Sequence, residues 1–186
     1  MKPMTTVSLI PHPDFPGPAT CWVEVEYDWS STVGLTLRYR LAGGLYQLMI
    51  PEVNPYPERR DELWGHTCLE LFMAREGEAA YREFNFSPSG DWACYAFDGY
   101  RAGMRAPAMD RGLVLEAEQQ PESLALAVTL PPELMCSSAA DRTPLCLAFT
   151  AVLETRAGRH HYWALRHAPG KPDFHHRDGF IVTLLP

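Results

Sequence analysis

No run of 18 apolar residues occurs anywhere in the 186-residue chain, so a membrane-crossing helix is not expected. Positive charge is in short supply. The 16 Lys and Arg residues are outnumbered by 23 Asp and Glu, for a formal net charge of −7. A nucleic-acid binder needs a basic face to follow the phosphates, and this balance argues against one. Familiar catalytic and metal signatures are missing. There is no CxxC pair, no HExxH and no GxSxG, which speaks against a zinc centre, a zincin and an α/β-hydrolase. Helical periodicity is scarce. Pro3, Pro11 and Pro13 interrupt the apolar stretch that a secretory leader requires, so a cytoplasmic location is expected.

What is present fits a folded domain. Hydrophobic residues make up 46% and charged residues 21%, a globular balance rather than a disordered one. The length suits one domain over 1–186, with a core that needs no staples. The five cysteines, at 21, 68, 94, 136 and 146, are odd in number. In a reducing compartment they are read as free thiols packed as small hydrophobes. Seventeen prolines and 13 glycines favour many short elements joined by turns.

The dominant pattern is alternation with period 2, the strand period. Cys21, Val23, Val25 and Tyr27 alternate with Trp22, Glu24 and Glu26. Leu35, Leu37, Tyr39 and Leu41 alternate with Thr36, Arg38 and Arg40. Gly43-Gly44 then suggests a hairpin into a strand over 45–50. Further strands are expected over 66–73, 81–86, 92–97, 113–117, 124–130, 145–153, 161–165 and 180–184. Ser87-Pro88-Ser89-Gly90 reads as a turn. Short helical turns are expected over 58–63 and 133–140, the latter following Pro131-Pro132. The sum is an all-β, antiparallel two-sheet β-sandwich, jelly-roll or immunoglobulin-like, of about ten to eleven strands.

Two clusters carry the chemistry. In the first, Leu69, Leu71 and Met73 take one face of their strand, so Glu70 takes the other. Phe84 and Phe86 likewise leave Glu83 and Asn85 together, about 7 Å apart at two strand rises. Pairing of these strands brings two carboxylates and an amide onto one face, flanked by Trp64 and Trp92. Indoles stack on the C–H faces of pyranoses, while carboxylates and amides bind hydroxyls. Buried carboxylates so close need a cation or donor, for which Lys171, Arg59 and Arg60 are candidates. The second cluster is C-terminal and holds His160, His161, Trp163, His167, Lys171, Asp173, His175 and His176. No second histidine shares a strand face with His161, so no metal site is expected.

Leu69-Glu70-Leu71-Phe72, followed by the segment from Tyr81 through Asn85-Phe86-Ser87-Pro88-Ser89-Gly90 to Trp92, resembles the DOMON-like domains. That superfamily includes the family-nine carbohydrate-binding modules and haem-binding cytochrome domains. Tyr162-Trp163-Ala164-Leu165 and Lys171-Pro172-Asp173-Phe174-His175 are similar to a bacterial cytoplasmic branch of unassigned role. The resemblance spans roughly 15–186. It implies a β-sandwich with a pocket on one sheet for sugar or haem. Haem ligation would draw on Met73 or Met104 with His160 or His161.

The expectation is therefore a non-catalytic binding protein for a small polar, sugar-like ligand, with no cofactor. Trp64, Trp92 and Trp163 would form the aromatic platform, and Glu70, Glu83, Asn85, Lys171 and Asp173 would supply hydrogen bonds. A haem-binding electron-transfer or sensor domain, and an interaction module without small ligand, are the alternatives. The cysteine reading has a direct check. Thiol titration of denatured protein purified without oxidant should find all five cysteines, whereas three or fewer would reveal a disulfide and count against a reducing compartment.

Overall fold

The computed structural model describes residues 4–135 and 142–185. Its regular structure there is almost wholly strand: β1 (Thr5–Pro11), β2 (Trp22–Ser30), β3 (Gly34–Ala42), β4 (Cys68–Arg75), β5 (Tyr81–Phe86), β6 (Trp92–Phe97), β7 (Leu115–Gln120), β8 (Ser123–Leu130), β9 (Leu145–Glu154), β10 (His160–Ala164) and β11 (Val182–Leu184), with one helical turn α1 (Pro132–Met135) between β8 and β9. Each alternating segment became a strand because its apolar residues fall on one side of the pleat. In β3, Leu35, Leu37, Tyr39 and Leu41 are all buried. Their counterparts across the core are Leu69 and Leu71 of β4, Phe84 and Phe86 of β5, and Leu147, Phe149 and Leu153 of β9.

The strands do not form two separate sheets. One antiparallel path runs β6-β5-β4-β9-β10-β1-β2-β3-β8-β7, and β11 also pairs with β9. The expected two-sheet sandwich is thus corrected to a single sheet curled into a nearly closed, barrel-like shell. β1 joins the halves: Thr5–Leu9 pair with β2, then Ile10 and Pro11 pair with β10. Periodicity reports which face a residue takes, not which strand lies alongside, so this hand-over left no trace in the pattern. β1 itself was not foreseen, since Leu9 is its one buried residue among those of the strand.

Two further expectations are corrected. Residues 45–50 do not continue a hairpin. Gly43 and Gly44 both have positive φ, 77° and 66°, and lead into a 3-10 turn at Leu45–Gln47. Both edges of β3 are already taken by β2 and β8. The helical turn expected over 58–63 falls instead at Leu63–Gly65. Of the one expected over 133–140, α1 is the described part, and 136–140 lie outside the described residues. The turn at Ser87–Gly90 is present, with Gly90 at φ 95°, a conformation glycine adopts without strain. No helix among the described residues is long and apolar enough to cross a membrane.

The half of the shell formed by β4, β5, β6 and β9 is buried on both faces. Its outer face carries Phe72, Tyr81, Tyr95 and Phe97, and the chain after β10 folds over it with Phe174 and Phe180. The open edge of β6 is closed by loop backbone: Arg60 N–H donates to Trp92 O, and Ala96 exchanges hydrogen bonds with Arg105. This capping removes an edge available for association.

One bond ties the two halves through the core. The Tyr39 hydroxyl, fully buried on β3, donates to the Glu70 carbonyl of β4 at 2.6 Å. Tyr39→Phe should cost about 1–3 kcal/mol, lowering the thermal midpoint by roughly 2–4 °C per kcal/mol. An unchanged midpoint in circular-dichroism melts would show that this bond does not hold the halves together.

Candidate ligand-binding site

The doubly buried half of the shell gives Glu70 its setting. On β4 the residues that alternate with the core-facing leucines are Cys68, Glu70 and Phe72. Glu70 pairs in register with Asn85 of β5 and Thr150 of β9, while Phe72 pairs with Glu83. Glu70, Glu83 and Asn85 therefore lie together on the outer face, and all three are buried. Thr150 Oγ1 donates to Glu70 Oε2 at 2.9 Å. Asn85 Nδ2 donates to Glu83 Oε1 at 2.8 Å.

Above this floor lies a cavity of about 370 Å³, with Glu70, Glu83 and Phe72 at its base. Trp64, Phe97 and Tyr162 form aromatic walls, and Phe174 and His175 reach in from the C-terminal loop. Trp64 is half-exposed and stands edge-on to Tyr95, ring centres 5.8 Å apart. Arg101 and Met104 complete the lining from the loop after β6.

A clamp between the two loops sets the roof. Arg101 Nη2 donates to Asp173 Oδ1 at 2.8 Å, and the Tyr100 hydroxyl donates to Asp173 Oδ2 at 2.5 Å. The His175 amide also donates to Asp173, at 3.1 Å. Burial works against the charged form of Asp173, yet the bonds from Tyr100 and Arg101 hold its carboxyl below the usual range. Beneath the clamp, the Tyr81 hydroxyl lies 2.7 Å from His175 Nδ1 and accepts from the Arg101 amide at 3.2 Å. The hydroxyl thus bridges the imidazole and the Arg101 backbone.

The electrostatics are uneven. Burial, then the neighbouring Glu83 charge, pushes the Glu70 carboxyl well above its ordinary value, against the hydrogen bond from Thr150. Burial also raises Glu83, which the bond from Asn85 and the charge of Arg101 oppose. Burial and Arg101 depress His175 to about 4, against the pull of Asp173. At neutral pH it is uncharged, so its Nε2, 3.8 Å from Glu83 Oε2, supplies no countercharge. Cys68, beside Glu70, is raised by burial and by the Glu70 charge, so it is an inert thiol rather than a nucleophile.

The expected site residues divide clearly. Glu70, Glu83, Asn85 and Trp64 come together. Trp92 and Trp163 do not. Both point to the opposite face of the sheet and are buried in the inner core, because their parity on β6 and β10 matches the core-facing residues. Asp173 is in the clamp, not the cavity wall. Lys171 is exposed and does not line the cavity. Arg59 and Arg60 do not reach the carboxylates either. Arg59 donates to the carbonyls of Pro107 and Cys94, and Arg60 lies at Glu58 and Asp91. Of the methionines and histidines considered for haem, Met104 lines the cavity, whereas Met73, His160 and His161 do not. Among the described residues, no three or more His, Cys, Asp or Glu side chains gather as a metal site.

Sequence reasoning found Trp64 but missed the other aromatic walls and the roof. Phe72 and Phe97 could have been found by parity, since Phe72 sits two residues from Glu70, and Phe97 lies on β6 with the parity of Tyr95. Arg101, Phe174 and His175 come from loops, where periodicity is silent.

No family model matches the chain, and no curated protein matches it. Among solved structures the chain is similar to a candidate carbohydrate-binding protein from Bacteroides uniformis, with a TM-score of 0.71 and 15% identity over 98% of this chain and 86% of that one. It is also similar to a family 9 carbohydrate-binding module from Caldicellulosiruptor kristjanssonii. In complex with cellotriose that module gives a TM-score of 0.49 and 13% identity, over 88% of this chain and 75% of that one. In complex with glucose it gives 0.46 and 12%, over 88% and 76%. The Bacteroides likeness bears on the fold, and it extends that all-β architecture over nearly the whole chain.

Proposed function

We propose that this chain is a non-catalytic binding protein for a small, hydroxyl-rich, sugar-like ligand held in the outer-face cavity. The observation that carries the reading is the cavity itself: a floor bearing two buried carboxylates inside aromatic walls. Carboxylates accept hydroxyl protons, and ring faces receive the apolar C–H side of a sugar. The volume of about 370 Å³ falls at the small end of the ~300–1,000 Å³ range of small-molecule sites. The fold shared with a candidate carbohydrate-binding protein and the resemblance of segments 69–72 and 81–92 to DOMON-like domains agree with it.

The position of the carboxylates supports a reading of binding without turnover. Glycoside hydrolysis places two carboxyl groups on either side of the scissile bond. Glu70 and Glu83 rise from adjacent strands of one floor, so both lie on the same side of anything resting there. The reading calls for no cofactor.

Calorimetric titration with a panel of mono- and disaccharides is the direct test. At least one member should bind, and Trp64→Ala should weaken it about tenfold, the share of a ring contact plus its lost area. A panel without a single binder would remove the sugar reading.

Glu70 offers a second test. Its carboxyl is raised in the folded protein, so the stability linked to it is present below the unfolded value and is lost as pH rises through the folded one. Glu70→Gln should therefore melt close to the parent at acid pH and progressively higher than it, by a few degrees, toward alkaline pH. The same variant should bind the sugar less tightly. A lower melting temperature at every pH, with affinity retained, would make Glu70 a residue of the fold alone.

A further inference from the structure

Resting on the sugar-binding reading above, we infer that the ligand carries a protonated amine: it is an amino sugar with a free ammonium group, seated against Glu70 and Glu83 inside the ring of aromatic side chains. The argument is a charge inventory of the cavity. Two carboxylates share the floor, and both are buried. Like charges so placed resist ionising together, and a cation between them removes that resistance. The protein's own cations do not balance them. Arg101 lines the cavity and its charge acts on Glu83, but it is paired with Asp173, so three carboxyl groups share one guanidinium. Arg82 donates to the Leu134 carbonyl. Arg177 is bonded to the carbonyls of Glu78, Ala79 and Ala80. Arg59, Arg60 and Lys171 lie outside the lining.

The hydrogen bonds leave the same gap. Glu83 takes one bond from Asn85 and Glu70 one from Thr150. Among the described residues, the second oxygen of Glu70 receives no donor. An ammonium group carries three donors and a charge, and so answers both needs at once. Trp64, Phe72, Phe97, Tyr162 and Phe174 surround the position, and aromatic faces attract ammonium groups. A divalent cation fits less well. Calcium asks for six to eight oxygens, and no gathering of three metal-ligating side chains is present among the described residues.

Seating the cation has a proton balance. In the empty site the close carboxylates retain a proton between them. Arrival of the ammonium ionises both, so the retained proton leaves to solvent. The groups around the carboxylate pair are Cys68 and Thr150 beside Glu70, Tyr95 of β6 beside Glu83, and Tyr162, His175 and Arg101 in the cavity lining, while Tyr39 of β3 meets the Glu70 carbonyl from the core side. Cys68, Tyr39 and Tyr95 are all raised by burial and stay neutral, and His175 at about 4 is already deprotonated. The carboxylate pair is thus the source of the released proton.

The test is a matched set of hexoses, each as the free amine, the N-acetyl amine and the neutral sugar, titrated into the full chain in two buffers of different ionisation heat. The amine should bind at least about tenfold tighter than its two counterparts and release a proton that the counterparts do not. Glu83→Gln and Glu70→Gln should each reduce the ratio of amine to neutral affinity toward one. Trp64→Ala, at a half-exposed position that leaves the core intact, should weaken amine binding. Neutral sugars that bind as tightly as the amines, or amine binding without proton release, would overturn the ammonium inference and leave sugar binding standing. No binding by any member would overturn both.

Discussion

Burial of one half-sheet on both faces is the constraint from which the rest of the molecule follows. β4, β5, β6 and β9 turn Leu69, Leu71, Phe84 and Phe149 inward to the closed core. Their other faces, which in a shell of this kind commonly meet water, are roofed by Phe174 and Phe180. Glu70, Glu83, Asn85 and Thr150 on that outer face are thereby taken out of solvent. For Asn85 and Thr150 the cost is met by hydrogen bonds. For two glutamates it is met only in part, and desolvation raises both. The cavity and its unbalanced charge are two consequences of one roof.

The roof is held by electrostatics that cancel locally. Arg101 and Asp173 neutralise each other 2.8 Å apart, and Tyr100 and the His175 amide fill the remaining sites on Asp173. Arg101 adopts φ 51°, an uncommon conformation for a side-chain-bearing residue, and such residues concentrate where surrounding contacts fix them. Here the fixing contacts are Asp173 on one side and the Tyr81 hydroxyl on the other. The clamp therefore positions the loops and divides the charge of Arg101 between Asp173 and Glu83, leaving the floor only partly neutralised.

How much of this was legible follows from what alternation encodes. Parity placed Glu70, Glu83 and Asn85 on one face and put the leucines of β3, β4 and β8 inside, because period 2 is a property of the pleat itself. The same rule, applied to Trp92 and Trp163, would have assigned them to the core. Indole chemistry alone suggests a platform there, and parity is the better guide. Strand partners were not legible. β1 changes from β2 to β10 within one strand, and nothing in its sequence marks the place. The roof was equally silent, since Arg101, Phe174 and His175 owe their positions to a loop-to-loop bond between residues 72 apart in sequence.

A shared fold and a site answer different questions. The architecture would close equally well with an apolar residue at 70, as its neighbours on the same face show: Cys68 and Phe72 are buried there comfortably. A carboxyl at that position raises the free energy of the folded state at neutral pH, and Glu83 beside it compounds the cost by like-charge repulsion. The contribution of the pair to packing does not account for it. Neither does a direct ion pair, because Arg101 bonds to Asp173 and acts on Glu83 only through space, and the imidazole of His175 is neutral. A destabilising pair held rigidly, with a donor on each outer flank and open space between aromatic walls, is arranged for a group that arrives from outside. On the proposed reading the complement of that arrangement is a donor-rich cation small enough for the cavity, and the ligand's charge, more than its ring, is what such a site would read.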